Sequence, residues 1–136
     1  MSTWSDLGPG GEVMYEVSVR GSFRATHQVA TPSGELEPRH EHDWRVEAVW
    51  SGHGLDGRGL LVDFVRAEQV LRRLAADLEG AHLNEHPVLA GCPPSAENVA
   101  RVLFEKLDLV RGGVDARLSL VRVREAPGCR AVYARH

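Results

Sequence analysis

The chain has few of the features that mark several large classes of protein. Its 136 residues include only two cysteines, Cys92 and Cys129, too few and too far apart for a disulfide scaffold or a zinc ribbon. No segment approaches the ~20 consecutive apolar residues of a membrane span. The first residues also lack the basic start and apolar stretch of a secretory signal. These absences predict free thiols, no membrane contact and a cytoplasmic location.

An excess of positive charge is also missing. The formal net charge is -3, whereas a protein that binds a phosphate backbone normally presents a clearly basic surface. We therefore expect no nucleic acid partner and favour a small-molecule ligand. The length fits one domain, and a hydrophobic content of 43% is enough to bury its core. Residues 1–12 are rich in Gly, Pro and Ser and predict a flexible lead-in, so the single organised domain is expected over 13–136.

Alternation of apolar and polar residues predicts four strands. They lie in YEVSVRGSF, RHEHDWRVEAVW, ARLSLVRVRE and RAVYAR. In the third of these segments the alternation predicts that Leu118 and Leu120 face inward, with Val121 or Val123 beside them. Between the first two strands, TPSGELEP is longer than a tight hairpin turn requires.

Apolar residues at three- and four-residue intervals predict two helices between the second and third strands. The first starts after Asp63, its N-cap, and ends near Glu79; the second follows Pro94 with Ser95 as its cap. The order strand, strand, helix, helix, strand, strand predicts an α+β domain with a four-stranded antiparallel sheet and two helices on one face. Unpaired sheet edges are templates for other chains, so we expect a homo-oligomer.

Three histidines form the pattern that is most informative about function. His27 ends FRATH, and His40 and His42 lie in RHEHDW. Neutral imidazole is the commonest side-chain ligand of catalytic metals, and three of them leave one position of a tetrahedral zinc open. In a strand His40 and His42 share a face, and antiparallel pairing would bring His27 beside them. Strand histidines that face solvent would have the same spacing, so the pattern alone leaves both interpretations open.

Five motifs, two of which contain these histidines, together carry a resemblance to a known family. The chain resembles the 6-pyruvoyl-tetrahydropterin synthase and 6-carboxytetrahydropterin synthase family over residues 15–133. The matching residues are F-x-A-x-H at Phe23, Ala25 and His27, the H-x-H at His40 and His42, GLLVDF ending at Asp63-Phe64, PSAEN with Glu97-Asn98, and Glu125 with Tyr133 eight residues on.

The resemblance implies a tunnelling fold (T-fold), in which subunits pair their sheets into barrels and build a pterin pocket at the subunit interface. It implies a hexamer and a zinc ion held by His27, His40 and His42. It also implies that Glu125 binds the 2-amino-pyrimidinone edge of the pterin, because a carboxylate can accept two parallel N–H bonds from that edge. Otherwise Glu125 is a solvated charge on a strand.

The chain departs from the family at its usual base. Most members have a cysteine four residues before the first histidine of the pair, and this chain has Leu36 there. Glu37-Pro38-Arg39-His40 resembles a variant subgroup in which a glutamate replaces the thiol and the product is 6-hydroxymethyl-dihydropterin. Glu37 is therefore the candidate base, with Glu35 also near. A pocket that raises its pKa would favour this role, a neighbouring zinc would oppose the rise, and an exposed loop charge is the alternative.

The family's Asp-His dyad is also altered. In the matching segment Glu79 stands at the position of the aspartate and Gly80 at that of the histidine. His82 follows two residues later and is the candidate replacement, with a surface or interface histidine as the alternative. We therefore expect Glu79 and His82 to be catalytic together with Glu37.

Three hypotheses about function follow. The first is a zinc-dependent lyase that acts on 7,8-dihydroneopterin triphosphate or a related pterin. The second keeps the zinc site but changes the substrate to another pterin or a purine-like molecule. The third is a pterin-binding protein that has lost its base.

Overall fold

The computed structural model describes residues 14–136; the predicted lead-in over 1–12 and the first residue of the predicted domain, Val13, lie outside the described residues. Within the described part, five strands and two α-helices follow one another along the chain. They are β1 (Tyr15–His27), β2 (His40–Gly52), α1 (Phe64–Leu78), β3 (Ala81–His82), α2 (Ala96–Leu107), β4 (Arg117–Ala126) and β5 (Cys129–Ala134). Two short 3-10 turns, Leu83–Glu85 and Pro87–Leu89, connect β3 to α2.

Both helices begin at the predicted caps. The Asp63 carboxylate accepts a hydrogen bond from the Val65 N–H at 2.9 Å, and the Ser95 hydroxyl accepts one from the Asn98 N–H at 3.1 Å. Each cap satisfies a backbone donor that the first helical turn leaves without a partner. The predicted starts of α1 and α2 are confirmed.

The sheet has five strands in the order β3-β1-β2-β4-β5, so the prediction of a four-stranded, wholly antiparallel sheet is wrong. The additional strand, β3, pairs in parallel with Ala25 and Thr26 of β1. Gly80 causes this pairing: its φ of 76° turns the chain after α1, and its N–H donates to the Arg24 carbonyl at 2.7 Å. The α+β architecture itself is confirmed.

An irregularity between β2 and β4 changes which residues of β4 face inward. Val49 pairs with Leu120 and Trp50 with Leu118, so Ser119 is an additional residue, and its hydroxyl donates to the Val49 carbonyl at 2.9 Å. The alternation shifts there. Leu118 and Val121 are both buried, whereas Leu120 is only half-buried, contrary to the inward orientation predicted for it.

The core lies between one face of the sheet and the two helices. On that face Leu71 of α1 packs over Gly21, where a Cβ atom would lie only 3.1 Å from the leucine side chain. On the same face Phe104 of α2 contacts Tyr133 with a centroid distance of 5.0 Å. No helix among residues 14–136 is long and apolar enough to cross a membrane.

Candidate metal centre

The three histidines meet where β1 ends and β2 begins. His27 and His40 are directly opposite each other in the antiparallel register, and His42 lies two residues further along the same face of β2. The Nε2 atoms of His27 and His40 are 3.1 Å apart, and the rings of His40 and His42 have centroids 4.5 Å apart. The antiparallel pairing therefore brings the imidazoles together as the sequence predicts.

Backbone carbonyls determine the tautomer of two of the rings. His27 Nδ1 lies 2.7 Å from the Pro94 carbonyl oxygen, and His40 Nδ1 lies 2.9 Å from the Pro38 carbonyl oxygen. Since a carbonyl can only accept, each Nδ1 carries the proton, and in the neutral ring each Nε2 then presents a lone pair. Two lone pairs that face each other at 3.1 Å cannot hydrogen-bond, but a cation can bind both.

His42, the third ring, also has a nitrogen without a hydrogen-bond partner among the described residues. His42 Nε2 is buried and makes no hydrogen bond within residues 14–136, although Glu125 Oε1 lies 3.1 Å away, because the angular geometry is poor. Burial lowers the pKa of His42 below its usual value, and the nearby Glu125 carboxylate opposes this change. A lowered pKa favours the neutral imidazole, which is the form that binds metals.

Glu125 of β4 completes the cluster. Its Oε1 atom lies 3.3 Å from His27 Nε2, and one ligand atom from each of the four residues lies within 4.8 Å of the others. The Glu125 side chain is 25% exposed. Three imidazole nitrogens and one carboxylate oxygen match the donor preference of zinc, and the buried nitrogen without a partner fits a bound cation. The residues present therefore fit a zinc ion.

The first turn of α2 supports the cluster from behind. The Asn98 side-chain amide donates to the Pro93 carbonyl at 2.8 Å, and the Ser95 N–H donates to the same carbonyl at 2.9 Å. These bonds hold the Pro93-Pro94 segment whose next carbonyl binds His27. Asn98 was not predicted as a site residue, although its place in the PSAEN motif was a signal for it.

Glu37 borders the histidine cluster. Its Oε1 atom is 3.7 Å from His40 Nε2 and accepts a hydrogen bond from the Val29 N–H at 3.1 Å. The Gln28 side chain donates to the Glu37 carbonyl at 3.0 Å, which ties the loop to the end of β1. Leu36, at the position of the family's cysteine, is 58% exposed. The structure thus brings Glu37, and not its neighbour, to the predicted site.

Glu79 and His82 do not reach the cluster within one chain. The Glu79 carboxylate accepts the Arg24 N–H at 3.0 Å, and His82 Nδ1 lies 2.9 Å from the Thr26 hydroxyl. Thr26 and His27 are neighbours on β1, so their side chains point to opposite faces of the sheet. His82 is on the face of Thr26, away from the three imidazoles.

Comparison with known proteins identifies the family. A sequence model described as 6-pyruvoyl tetrahydropterin synthase matches residues 16–136. The chain belongs to the 6-pyruvoyl tetrahydropterin synthase family. No curated protein sequence gave a significant match.

Solved structures share the fold at low identity. The chain is similar to Caenorhabditis elegans 6-pyruvoyl tetrahydropterin synthase, with a TM-score of 0.75 and 18% identity over 92% of this chain and 98% of that one. An uncharacterized protein from Wolinella succinogenes has a TM-score of 0.73 and 18% identity over 92% and 100% of the two chains. A Plasmodium vivax 6-pyruvoyltetrahydropterin synthase, with a catalytic glutamate changed to cysteine, has a TM-score of 0.66 and 20% identity over 91% and 99%. These similarities support the T-fold.

Proposed function

We propose that this protein is a zinc-dependent lyase that acts on 7,8-dihydroneopterin triphosphate or a related pterin. The observation that carries the proposal is the cluster of His27, His40, His42 and Glu125, with two imidazole tautomers set by backbone carbonyls, in a chain of this family. The three imidazoles would hold the zinc, which when bound polarises the oxygens of the pterin side chain.

Glu125 is proposed to bind the pterin ring. It is partly exposed and lies against the histidines, so a ring held there would place its side chain next to the cluster. An ionised carboxylate can accept two parallel N–H bonds from the 2-amino-pyrimidinone edge. These bonds would orient the substrate before any proton is moved.

Glu37 is proposed as the general base that removes a proton from a side-chain carbon of the pterin. Its carboxylate borders the cluster, 3.7 Å from His40 Nε2, and the Val29 N–H fixes its position. The Plasmodium vivax relative has a glutamate as a catalytic residue, which supports a carboxylate in place of a thiol. With this base, 6-hydroxymethyl-dihydropterin is the alternative product.

We further propose that the protein is a homo-oligomer, a hexamer by family likeness, and that Glu79 and His82 act in a site shared between subunits. Within residues 14–136, β5 and most of β1 have one edge without a strand partner. Such edges favour pairing with another copy. Because His82 lies on the face away from its own chain's imidazoles, it would contribute to the cluster of a neighbouring copy.

Turnover of 7,8-dihydroneopterin triphosphate by the zinc-loaded protein tests the proposal, with products resolved by mass. We expect a carboxy-, pyruvoyl- or hydroxymethyl-pterin. Glu37→Gln should abolish turnover and leave the zinc content unchanged. Glu35→Gln is the matched control and should keep full activity, because Glu35 contributes only its backbone carbonyl to the loop, through the Thr31 N–H. Equal activity of the two variants would remove Glu37 from the mechanism.

A pterin-binding protein without turnover is the second candidate function. Two observations favour it: the usual thiol position is the exposed Leu36, and the usual dyad histidine is Gly80. Tight binding of a pterin by the zinc-loaded protein without any product would support this function and contradict the lyase. Turnover of a different pterin or a purine-like molecule, with none of dihydroneopterin triphosphate, would identify a changed substrate at the same site.

A further inference from the structure

The face of the sheet away from the helices carries charged side chains in two rows that cross the strands. In the first row Arg20, Glu47 and Arg122 are direct cross-strand neighbours. Glu47 pairs with Arg20 at 3.5 Å and with Arg122 through a short contact. Each guanidinium in this row therefore has a carboxylate beside it.

The adjacent row has no carboxylate. Arg45, Arg124 and Arg130 lie directly opposite one another on β2, β4 and β5, with Ser22 of β1 completing the row. We call the three arginines the arginine row. Arg45 pairs with Asp43 at 3.3 Å, but Arg124 and Arg130 have no ion pair or side-chain hydrogen bond to any residue of 14–136. Like charges directly opposite each other destabilise a sheet.

Two hollows border the arginine row. One, of about 420 Å³, lies between the two rows and is lined by Ser22, Arg45 and Arg124 among others. The other, of about 430 Å³, is lined by Arg124, Gly128, Cys129 and Arg130. Arg124 contributes to both. Guanidinium groups present forked N–H donors that match phosphate oxygens, and several together favour an anion of more than one charge.

From the unbalanced charge and the adjoining hollows, we propose that the arginine row binds a small multivalent phosphate anion of the inorganic pyrophosphate or triphosphate class. This site is separate from the metal centre. Glu125 contacts His27 and His42 on the face of the helices, whereas Arg124 lines a hollow on the other face together with Ser22 and Arg45. The proposal therefore does not depend on the reaction proposed for the histidine side.

Calorimetric titration of the zinc-loaded protein with inorganic triphosphate tests the arginine row. We expect binding that weakens as sodium chloride is added, because exposed charges are screened. Arg124→Gln and Arg130→Gln should each weaken binding by about tenfold, the loss of one charge-assisted contact. Arg72→Gln, on the exposed surface of α1, removes the same charge elsewhere and should bind as the wild type does.

Two further measurements separate anion binding from other roles. Triphosphate can extract zinc, so the zinc content is measured after each titration. Heat that comes from zinc extraction would appear equally in Arg124→Gln and Arg72→Gln, whereas binding at the arginine row would be weakened only in Arg124→Gln. Without anion at low salt, Arg124→Gln should be at least as stable to heat as the wild type, because it removes a like-charge neighbour.

Four results would overturn the proposal. The first is the absence of binding, and the second is an equal loss in Arg72→Gln, which would indicate a general effect of charge. The third is a change of oligomeric state in Arg124→Gln with unchanged triphosphate affinity, which would make this face a contact between copies. Equal affinity for monophosphate and triphosphate would contradict the multivalent ligand.

Discussion

The two ends of β2 each bring a histidine against a carboxylate, and the two pairs differ in how their hydrogen bonds are completed. Beyond Gly52, Asp115 accepts from the His53 ring at 2.9 Å and from the His53 and Gly54 backbone N–H groups at 3.1 Å. At the other end, Glu125 lies 3.1 Å from a His42 nitrogen that makes no hydrogen bond within the described residues.

The difference separates a pair whose hydrogen bonds are complete from a group that could hold a metal ion. Around Asp115, donors and acceptors are matched, so the contact ties the end of β2 to the segment before β4. Around Glu125, the Nε2 atoms of His27 and His40, the Nε2 atom of His42 that makes no hydrogen bond within residues 14–136, and a carboxylate converge without enough donors. Buried polar groups are nearly always satisfied in native proteins, so a converging excess of acceptors indicates a place for a cation.

The largest expected effect is loss of the metal on removal of one imidazole. His40→Ala should abolish stoichiometric zinc, because two imidazoles and a carboxylate would remain and His40 is half-exposed, so the fold should persist. Elemental analysis of the purified protein measures this. His53→Ala, at the other end of β2, should keep its zinc. Stoichiometric zinc in His40→Ala would show that the ligand set is wrong.

The next effect concerns the two carboxylates. Glu125→Gln should keep zinc but weaken pterin binding by about 10- to 100-fold, since charge-assisted hydrogen bonds contribute ~1.5–3 kcal/mol. Fluorescence titration with a pterin measures the affinity. Asp115→Asn should leave it unchanged. If Glu125→Gln instead loses zinc, Glu125 is a metal ligand and not a group that binds the pterin ring.

A smaller effect is expected from the residue behind His27. Asn98→Ala removes a bond that holds the Pro93-Pro94 segment and should lower zinc affinity by about tenfold, as loss of an outer hydrogen bond commonly does. Competition with a chromophoric chelator measures the affinity. Asp63→Ala is the matched control: it removes the side-chain cap of α1 and should cost stability without changing zinc affinity. If Asn98→Ala binds zinc as tightly as the wild type does, Asn98 has only a structural role.

The smallest effect is a dependence of the protein's thermal stability on pH that comes from Asp115, beyond the Gly52 end of β2. Hydrogen bonds from Gly54 and His53 lower the pKa of Asp115 from 3.8 to about 2. Because the folded pKa is the lower one, the stabilisation is present above the unfolded value and is lost as the pH falls toward 2. Asp115→Asn should therefore lower the melting temperature at pH 7, and this difference should narrow below pH 4.

Thermal unfolding between pH 2 and pH 7 tests this last expectation. Glu68→Gln, on the exposed surface of α1, should change the melting temperature little at either extreme. If the difference in melting temperature between Asp115→Asn and the wild type does not narrow in acid, ionised Asp115 is not what stabilises the turn.

Local rules were sufficient to predict much of the molecule. The caps Asp63 and Ser95 are short-range features, since side chain and backbone donor lie within three residues. The alternation of β1 and β2 predicted that His27, His40 and His42 share a face, and thirteen paired positions confirm the pairing of the two strands.

Other features depend on contacts that residue types do not encode. The pairing of β3 involves two residues, too few for any periodicity, and this pairing decides which face His82 occupies. The additional residue Ser119 could not be predicted, because it lies within a segment that otherwise alternates regularly. The acceptor for His27 is the carbonyl of Pro94, 67 residues away, and every residue has such a carbonyl.

His27 is at once a predicted ligand and a member of the core, 1% exposed and in edge contact with Trp44 at 4.9 Å. It joins β1 to the segment before α2, so zinc held there would stabilise the native state by mass action and oppose global unfolding. The amount of folded protein would then follow the zinc supply of its surroundings.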